Sequence, residues 1–264
     1  MAFEELKQRQ STMWGSGPFE RVAEHIADIH DDLVERLGPR AGETWLDVAC
    51  GTGGVAERAA RRGATVTGVD FSPVLIETAR RRATEQDLAI RYDVGDAESL
   101  PYEDGSFDVV ASCFGAMFAP DHRAAADELK RVCRVDGKLG LASWTPDGGI
   151  ADLFRMIGAF QPPPPEDAGN PLEWGRADYV RELLGDAFEL EFVELVSPQV
   201  GESGEEIWEL FSTSFGPTKQ LAESLPAERR AEFHRAYVDF YEGYRVDDGI
   251  RHPRHYLVAL GRRR

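Results

Sequence analysis

Thr44-Trp-Leu-Asp-Val-Ala-Cys-Gly-Thr-Gly-Gly-Val-Ala56 is the stretch around which the rest of the chain is organised. Trp45, Leu46, Val48 and Ala49 form a nearly continuous apolar run, the pattern of a strand buried on both faces. Gly51, Gly53 and Gly54 follow at once, and Val55–Arg62 then carries a helical pattern. A strand, a glycine turn and a helix N-terminus bring free backbone N–H groups and a positive dipole end to one point. Glycine there removes the Cβ atoms that would hold a ligand away. The stretch reads as a cofactor loop.

Two cofactor classes fit this loop at first sight. Gly51, Gly53 and Ala56 satisfy the spacing G-x-G-x-x-A, and Asp70 lies 19 residues beyond Gly51 at the end of the next apolar run. That is the dinucleotide fingerprint. Against it, Asp47 sits inside the strand before the loop, where a carboxylate would face a pyrophosphate with like charge. A further acidic turn, Gly95-Asp96-Ala97, closes the third strand. Acidic groups at three successive strand ends suit a cationic cofactor with hydroxyls, an adenine and no phosphate.

The segments Leu46–Gly54, Gly68-Val-Asp-Phe-Ser72, Gly95-Asp-Ala-Glu-Ser-Leu-Pro101, Phe107-Asp-Val-Val110, Leu129-Lys-Arg-Val132 and Asp136-Gly-Lys-Leu139 occur in order over roughly residues 44–144. In these segments the chain resembles the class I S-adenosylmethionine-dependent methyltransferases, and its flanks resemble their bacterial small-molecule branch more loosely. Asp136 stands where many relatives carry a proline, a harmless change in a turn. The resemblance implies an α/β fold: a Rossmann-like, doubly wound, seven-stranded sheet in the order 3-2-1-4-5-7-6, last strand antiparallel, with a helical lid insertion.

Composition narrows the alternatives. At 264 residues the chain can bury a full core. Its net charge is −17, with 47 acidic and 30 basic side chains, a balance that repels nucleic acid in general. The longest apolar stretches are strand-length, so no membrane span is expected, and the N-terminus lacks the pattern of a signal peptide. A cytoplasmic location is the default expectation. Cys50, Cys113 and Cys133 show no metal-ligand spacing and read as free thiols, so no metal site is expected.

Outward from the loop, residues 1–43 read as a helical cover. Residues 1–16 are polar with anchors such as Trp14, and a helix from Pro18 carries Phe19, Val22, Ile26, Ile29, Leu33 and Leu37 on one stripe. His25 and His30 fall off that stripe, as solvated positions do. Residues 44–197 form the cofactor-binding core, with strands at Thr65–Val69, Ala89–Val94, Phe107–Ser112, Lys138–Trp144 and Ala187–Val196. Asp121 is an N-cap, and His122 follows in the first turn of its helix. Residues 198–252 read as a helical lid inserted before the last strand. In it Ser203-x-x-Glu206 is a capping box, and Phe233, Tyr237, Phe240, Tyr241 and Tyr244 form one aromatic stripe. Residues 253–264 hold the closing strand, Tyr256–Leu260, and a tail.

The expected function is transfer of a methyl group from S-adenosylmethionine to a nucleophilic atom of a small-molecule acceptor, with no nucleic-acid or membrane partner and an open oligomeric state. Candidate cofactor residues are Asp47, Ala49, Gly51, Gly53, Asp70, Phe71, Asp96, Ala97, Cys113 and Trp14. Candidate acceptor residues are Met117, Phe118, Trp144, Tyr237 and Tyr241. For a general base only His122 and Tyr241 offer themselves. The rival readings are a non-catalytic protein that binds the same cofactor and a nicotinamide-dependent oxidoreductase.

Overall fold

Thr44–Val48, here β1, is the middle of the sheet: Trp45, Leu46 and Val48 are fully buried, and the strand pairs in parallel with a neighbour on each side. The computed structural model describes residues 3–264. The other strands are β2 (Thr65–Asp70), β3 (Ile90–Val94), β4 (Phe107–Cys113), β5 (Cys133–Trp144), β6 (Phe188–Gly201), β7 (Arg245–Val246) and β8 (Gly249–Arg263). They lie in the order β3-β2-β1-β4-β5-β8-β6, with the two-residue β7 paired to the start of β8. β1 to β5 run parallel, and β8 is antiparallel to both β5 and β6. With β7 set aside, this is the expected seven-stranded order. Among the described residues no helix is long and apolar enough to cross a membrane.

The helices between strands bury small apolar faces, as Ala56 and Ala59 do in Gly54–Arg61 and Ile76 and Ala79 do in Pro73–Glu85. Crossovers of this kind cover both faces of a parallel sheet, which is why its strands read as apolar runs. Asp121 accepts from Ala124 N–H at 3.0 Å and starts the helix His122–Val132.

Three features differ from the reading of the sequence. Glu4–Trp14 is a helix although it buries no residue, so no apolar stripe announces it. The helix expected from Pro18 to Leu37 is broken into Glu20–Ala23, a 3-10 turn Glu24–Ile26 and Ala27–Leu37. At the break the His25 carbonyl accepts from Arg254 Nη2 at 2.6 Å, replacing a helix partner with one from a distant strand.

The third difference concerns the insertion. β6 and β8 stay paired from Phe188↔Arg263 to Gly201↔Ile250, so both strands overrun the expected bounds and the insertion 198–252 shrinks to 202–248. Pro198 and Pro253 face each other in the ladder. β6 is an edge strand, and β5 ends at Trp144 opposite Tyr256, so neither proline deprives a second neighbour of a donor. The shortened insertion carries the helices Gly204–Ser214, Gly216–Ser224 and Ala227–Glu242.

Candidate functional site

The carboxyl ends of β1 to β5 open into one cavity. The turn after β1 reaches it through Ala49 (φ 52°) and Gly51 (φ 54°), both left-handed. Asp70, at the end of β2, shapes that turn. Its Oδ2 accepts Gly51 N–H and its Oδ1 accepts Ser72 N–H, each at 2.9 Å, and the residue is only 4 % exposed. Burial pushes its pKa up to about 6, against the pull of those two N–H groups. Each carboxylate oxygen keeps a second lone pair for a ligand hydroxyl.

Asp47 lies behind the turn. It is 1 % exposed, and its Oδ2 accepts Ala56 N–H at 3.0 Å, which satisfies one open donor in the first turn of Gly54–Arg61. Burial pushes its pKa up to about 8, and the nearby Asp70 adds to the shift. Gly53 is not on the cavity wall either. A Cβ there would sit 2.2 Å from the Tyr92 hydroxyl, and its φ of 88° is left-handed, so this glycine serves packing and helix start. These two candidates therefore lie next to the cavity and not in it.

After β3, Asp96 accepts Glu98 N–H through Oδ1 at 2.9 Å and Lys7 Nζ through Oδ2 at 2.7 Å. Lys7 also pairs with Glu98. Burial opposes the lysine charge, but the hydrogen bonds to Asp96 and Glu98 outweigh it and hold the pKa above the ordinary lysine value. Ser11 Oγ donates to Phe71 O at 3.0 Å, so the first helix is fixed across the ends of β2 and β3. On the other side of β1, Ser112 Oγ donates to Val48 O at 2.7 Å and accepts Ala116 N–H at 2.9 Å, which fixes the turn Ala116–Phe118.

The remaining wall is aromatic. Trp14 meets Phe19, Phe118 and Phe215 edge-on at centroid distances of 5.8, 5.1 and 5.4 Å. Trp144 stacks on Phe114 at 3.7 Å. Of the candidates, Ala49, Gly51, Asp70, Phe71, Asp96 and Ala97 line the cavity. So do Cys113, Trp14, Phe118, Trp144 and Tyr241. Met117 and Tyr237 are buried outside the wall.

His122 is 4 % exposed, and its Nδ1 lies 2.9 Å from the Tyr179 hydroxyl, away from the cavity. Tyr241 does line the wall, but burial raises its pKa and keeps the phenol protonated. Neither candidate base is therefore both placed and poised to take a proton.

Among the polar wall residues, Lys7, Gln10, His30, Gln199 and Arg254 were not placed at the site by the sequence. His30 corrects the expectation of a solvated position. It is 7 % exposed, its ring would lie 2.6 Å from a Cβ on Gly54, and burial lowers its pKa to about 3, so it is neutral. Nothing local marks these residues. Their partners are far along the chain, as the separation of 229 residues between Arg254 and His25 illustrates. Among the described residues no group of three or more acidic, histidine or cysteine side chains is arranged to hold a metal ion.

Residues 46–141 match a family model described as a methyltransferase domain. An uncharacterized protein of Mycobacterium tuberculosis is 34% identical over 263 residues, which cover 98% of this chain and 96% of that one. The methyltransferase GfsG of Streptomyces halstedii is 38% identical over 139 residues, 52% of this chain and 50% of its own. Among solved structures, geranyl diphosphate C-methyltransferase from Streptomyces coelicolor, in complex with Mg2+, geranyl diphosphate and S-adenosyl-L-homocysteine, superposes with a TM-score of 0.55 at 18% identity. That match covers 90% of this chain and 78% of the other.

Proposed function

The chain belongs to the class I S-adenosylmethionine-dependent methyltransferases, and from that premise we propose that it methylates a small, largely apolar acceptor held among Phe118, Trp144 and Tyr241. The observation that carries this reading is that the Asp70–Gly51 turn and the aromatic wall open into one and the same cavity.

The residues fit the cofactor. Asp70 offers lone pairs for ribose hydroxyls, and Asp96 and Ala97 offer an edge for adenine. The Ala49–Gly51 turn and Cys113 flank a place for the methionine part, and Trp14 closes it from above. When bound, S-adenosylmethionine supplies a methyl group already activated by its sulfonium. What remains for the protein is to bind, to orient and to exclude water. Orientation of this kind contributes on the order of 7–11 kcal/mol in favourable cases. The first helices and the insertion 202–248 form the cover, because Trp14, Phe211 and Phe215 all border the cavity from those segments. With His122 elsewhere, burial opposing a proton on His30 and burial keeping the Tyr241 phenol protonated, no side chain on the wall is assigned as base.

The test is an equilibrium titration with S-adenosylhomocysteine and with NAD, followed by a methyl-transfer screen. Binding of the first with no binding of the second is expected. Preference for NAD would overturn the reading, and cofactor binding without any methylated product across a broad acceptor panel would favour a non-catalytic binding protein.

A further inference from the structure

Arg254 is a buried cation on the cavity wall, and among the described residues no acidic partner accompanies it. It is 4 % exposed, and all five of its hydrogen bonds go to uncharged acceptors. Nε donates to Ser197 O at 3.0 Å, Nη1 to Gln199 Oε1 at 3.0 Å, and Nη2 to His25 O, Ser197 Oγ and Pro198 O. A guanidinium has five N–H groups, two of them on Nη1, so one Nη1 hydrogen has no acceptor among the described residues. Asp28 acts on the group only through space, and burial lowers its pKa without discharging an arginine. A buried charge held by dipoles alone is an expensive arrangement unless something else brings the opposite charge.

The position says what that something is. Arg254 pairs with Ser197, two residues past the point where β5 ends opposite Tyr256. Its Cζ lies 5.7 Å from the centre of the Trp144 ring, and Tyr241 shares the same part of the wall. β8 is three sheet neighbours from β1. At about 4.8 Å per neighbour the guanidinium strand is displaced roughly 14 Å sideways from the strand that feeds the glycine turn. It is therefore on the acceptor side of the cavity, facing aromatic surface.

We propose that Arg254 binds a carboxylate on the methyl acceptor, so that the acceptor is an apolar acid and Arg254 determines its specificity. The proposal rests on the methyltransferase reading above and names the substrate class of that site. Aromatic walls take the apolar body, and the free Nη1–H together with the buried charge takes the acid. A neutral analogue of the same shape leaves that charge without a partner, which is how a site built for an ion rejects its isostere.

The test uses the full chain saturated with S-adenosylhomocysteine and three matched probe pairs: naphthoate and naphthamide, cinnamate and cinnamamide, decanoate and decanamide. Tryptophan fluorescence and calorimetry read the binding. At least one acid is expected to bind about tenfold or more tighter than its amide, and Arg254→Gln is expected to bring that ratio close to one. No acid preferred over its amide by the natural protein, or a preference that survives in Arg254→Gln, overturns the proposal. The affinity for S-adenosylhomocysteine is measured alongside. A tenfold loss of that affinity in Arg254→Gln, with the acid preference intact, assigns Arg254 to the cofactor's own carboxylate and equally overturns the proposal. Absence of S-adenosylhomocysteine binding in the natural protein defeats the methyltransferase reading instead, so the two failures are distinct. Should Arg254→Gln not fold, a crystal of the natural protein with the best-bound acid decides, by whether its carboxylate lies within hydrogen-bond distance of Arg254.

Discussion

Lys7 Nζ donates to Asp96 Oδ2 at 2.7 Å across 89 residues of sequence, so the first helix and the turn after β3 share one carboxylate. The helix buries none of its own residues, and this pair is a main tie to the sheet. A charge-assisted hydrogen bond between half-buried groups contributes about 1.5–3 kcal/mol. Lys7→Ala is therefore expected to speed amide exchange in residues 4–14 and to raise the dissociation rate of S-adenosylhomocysteine about tenfold. Hydrogen-exchange mass spectrometry and stopped flow measure both, and unchanged exchange would mean that the contacts of Gln10, Ser11 and Trp14 hold the helix without it.

Asp70 gives the second prediction. Its carboxylate both shapes the Gly51 turn and offers lone pairs to the cavity, so Asp70→Asn is expected to weaken S-adenosylhomocysteine binding by about tenfold or more, since 1.4 kcal/mol is one decade. Calorimetry on a variant with a native circular dichroism spectrum checks it. Equal affinity in both proteins would remove Asp70 from the site.

The third concerns pH. Folded Asp47 titrates near pH 8 because it is buried, whereas in the unfolded chain it titrates near the ordinary value of about 3.9. Between those values the folded state holds a proton that the unfolded state has released, so stability falls as pH rises from about 4 to about 8 and levels off above that. Asp47→Asn keeps an oxygen for Ala56 N–H and removes the titration. Relative to the natural protein its melting temperature is expected to be higher at pH 8 than at pH 5. A difference independent of pH would show that Asp47 titrates normally.

Gly53 gives a prediction that separates packing from ligand contact. Gly53→Ala places a Cβ 2.2 Å from the Tyr92 hydroxyl at a φ of 88°, and strain of this kind costs on the order of 1–3 kcal/mol. Removing the hydroxyl with Tyr92→Phe in the same chain is expected to restore part of the lost melting temperature. If the double variant is no more stable than Gly53→Ala, the hydroxyl is not the obstacle.

Exchange rates test the proposed cover over residues 202–248. Phe233 and Tyr237 are fully buried, while Phe211, Phe215 and Tyr241 border the cavity. Segments that open for a ligand come from the less stable parts of a fold. Helices Gly204–Ser214 and Ala227–Glu242 are expected to exchange faster than β1 and β4, and to slow when S-adenosylhomocysteine and a bound apolar acid are both present. Protection equal to that of β1 in the free protein would make the segment core.

The sequence by itself determined the frame: the strand, glycine turn and helix at 44–61, the alternation of strands and helices, and the acidic residues at the ends of β2 and β3, while the strand order was implied only by the family resemblance. These were legible because they are local. An apolar run, a glycine cluster and a carboxylate at a strand end each lie within a few residues, and the chain's own stereochemistry turns them into structure. The first helix was hidden because it has no apolar stripe, and the far ends of β6 and β8 because only the pairing of two separate segments extends them. Only the tertiary structure decided that Asp47 and Gly53 stand behind the turn, that His122 faces Tyr179, and that Lys7, His30 and Arg254 reach the cavity. Burial and charge pairing depend on which distant segments pack together. The 89 residues from Lys7 to Asp96 and the 229 from His25 to Arg254 are distances along the chain that periodicity cannot span.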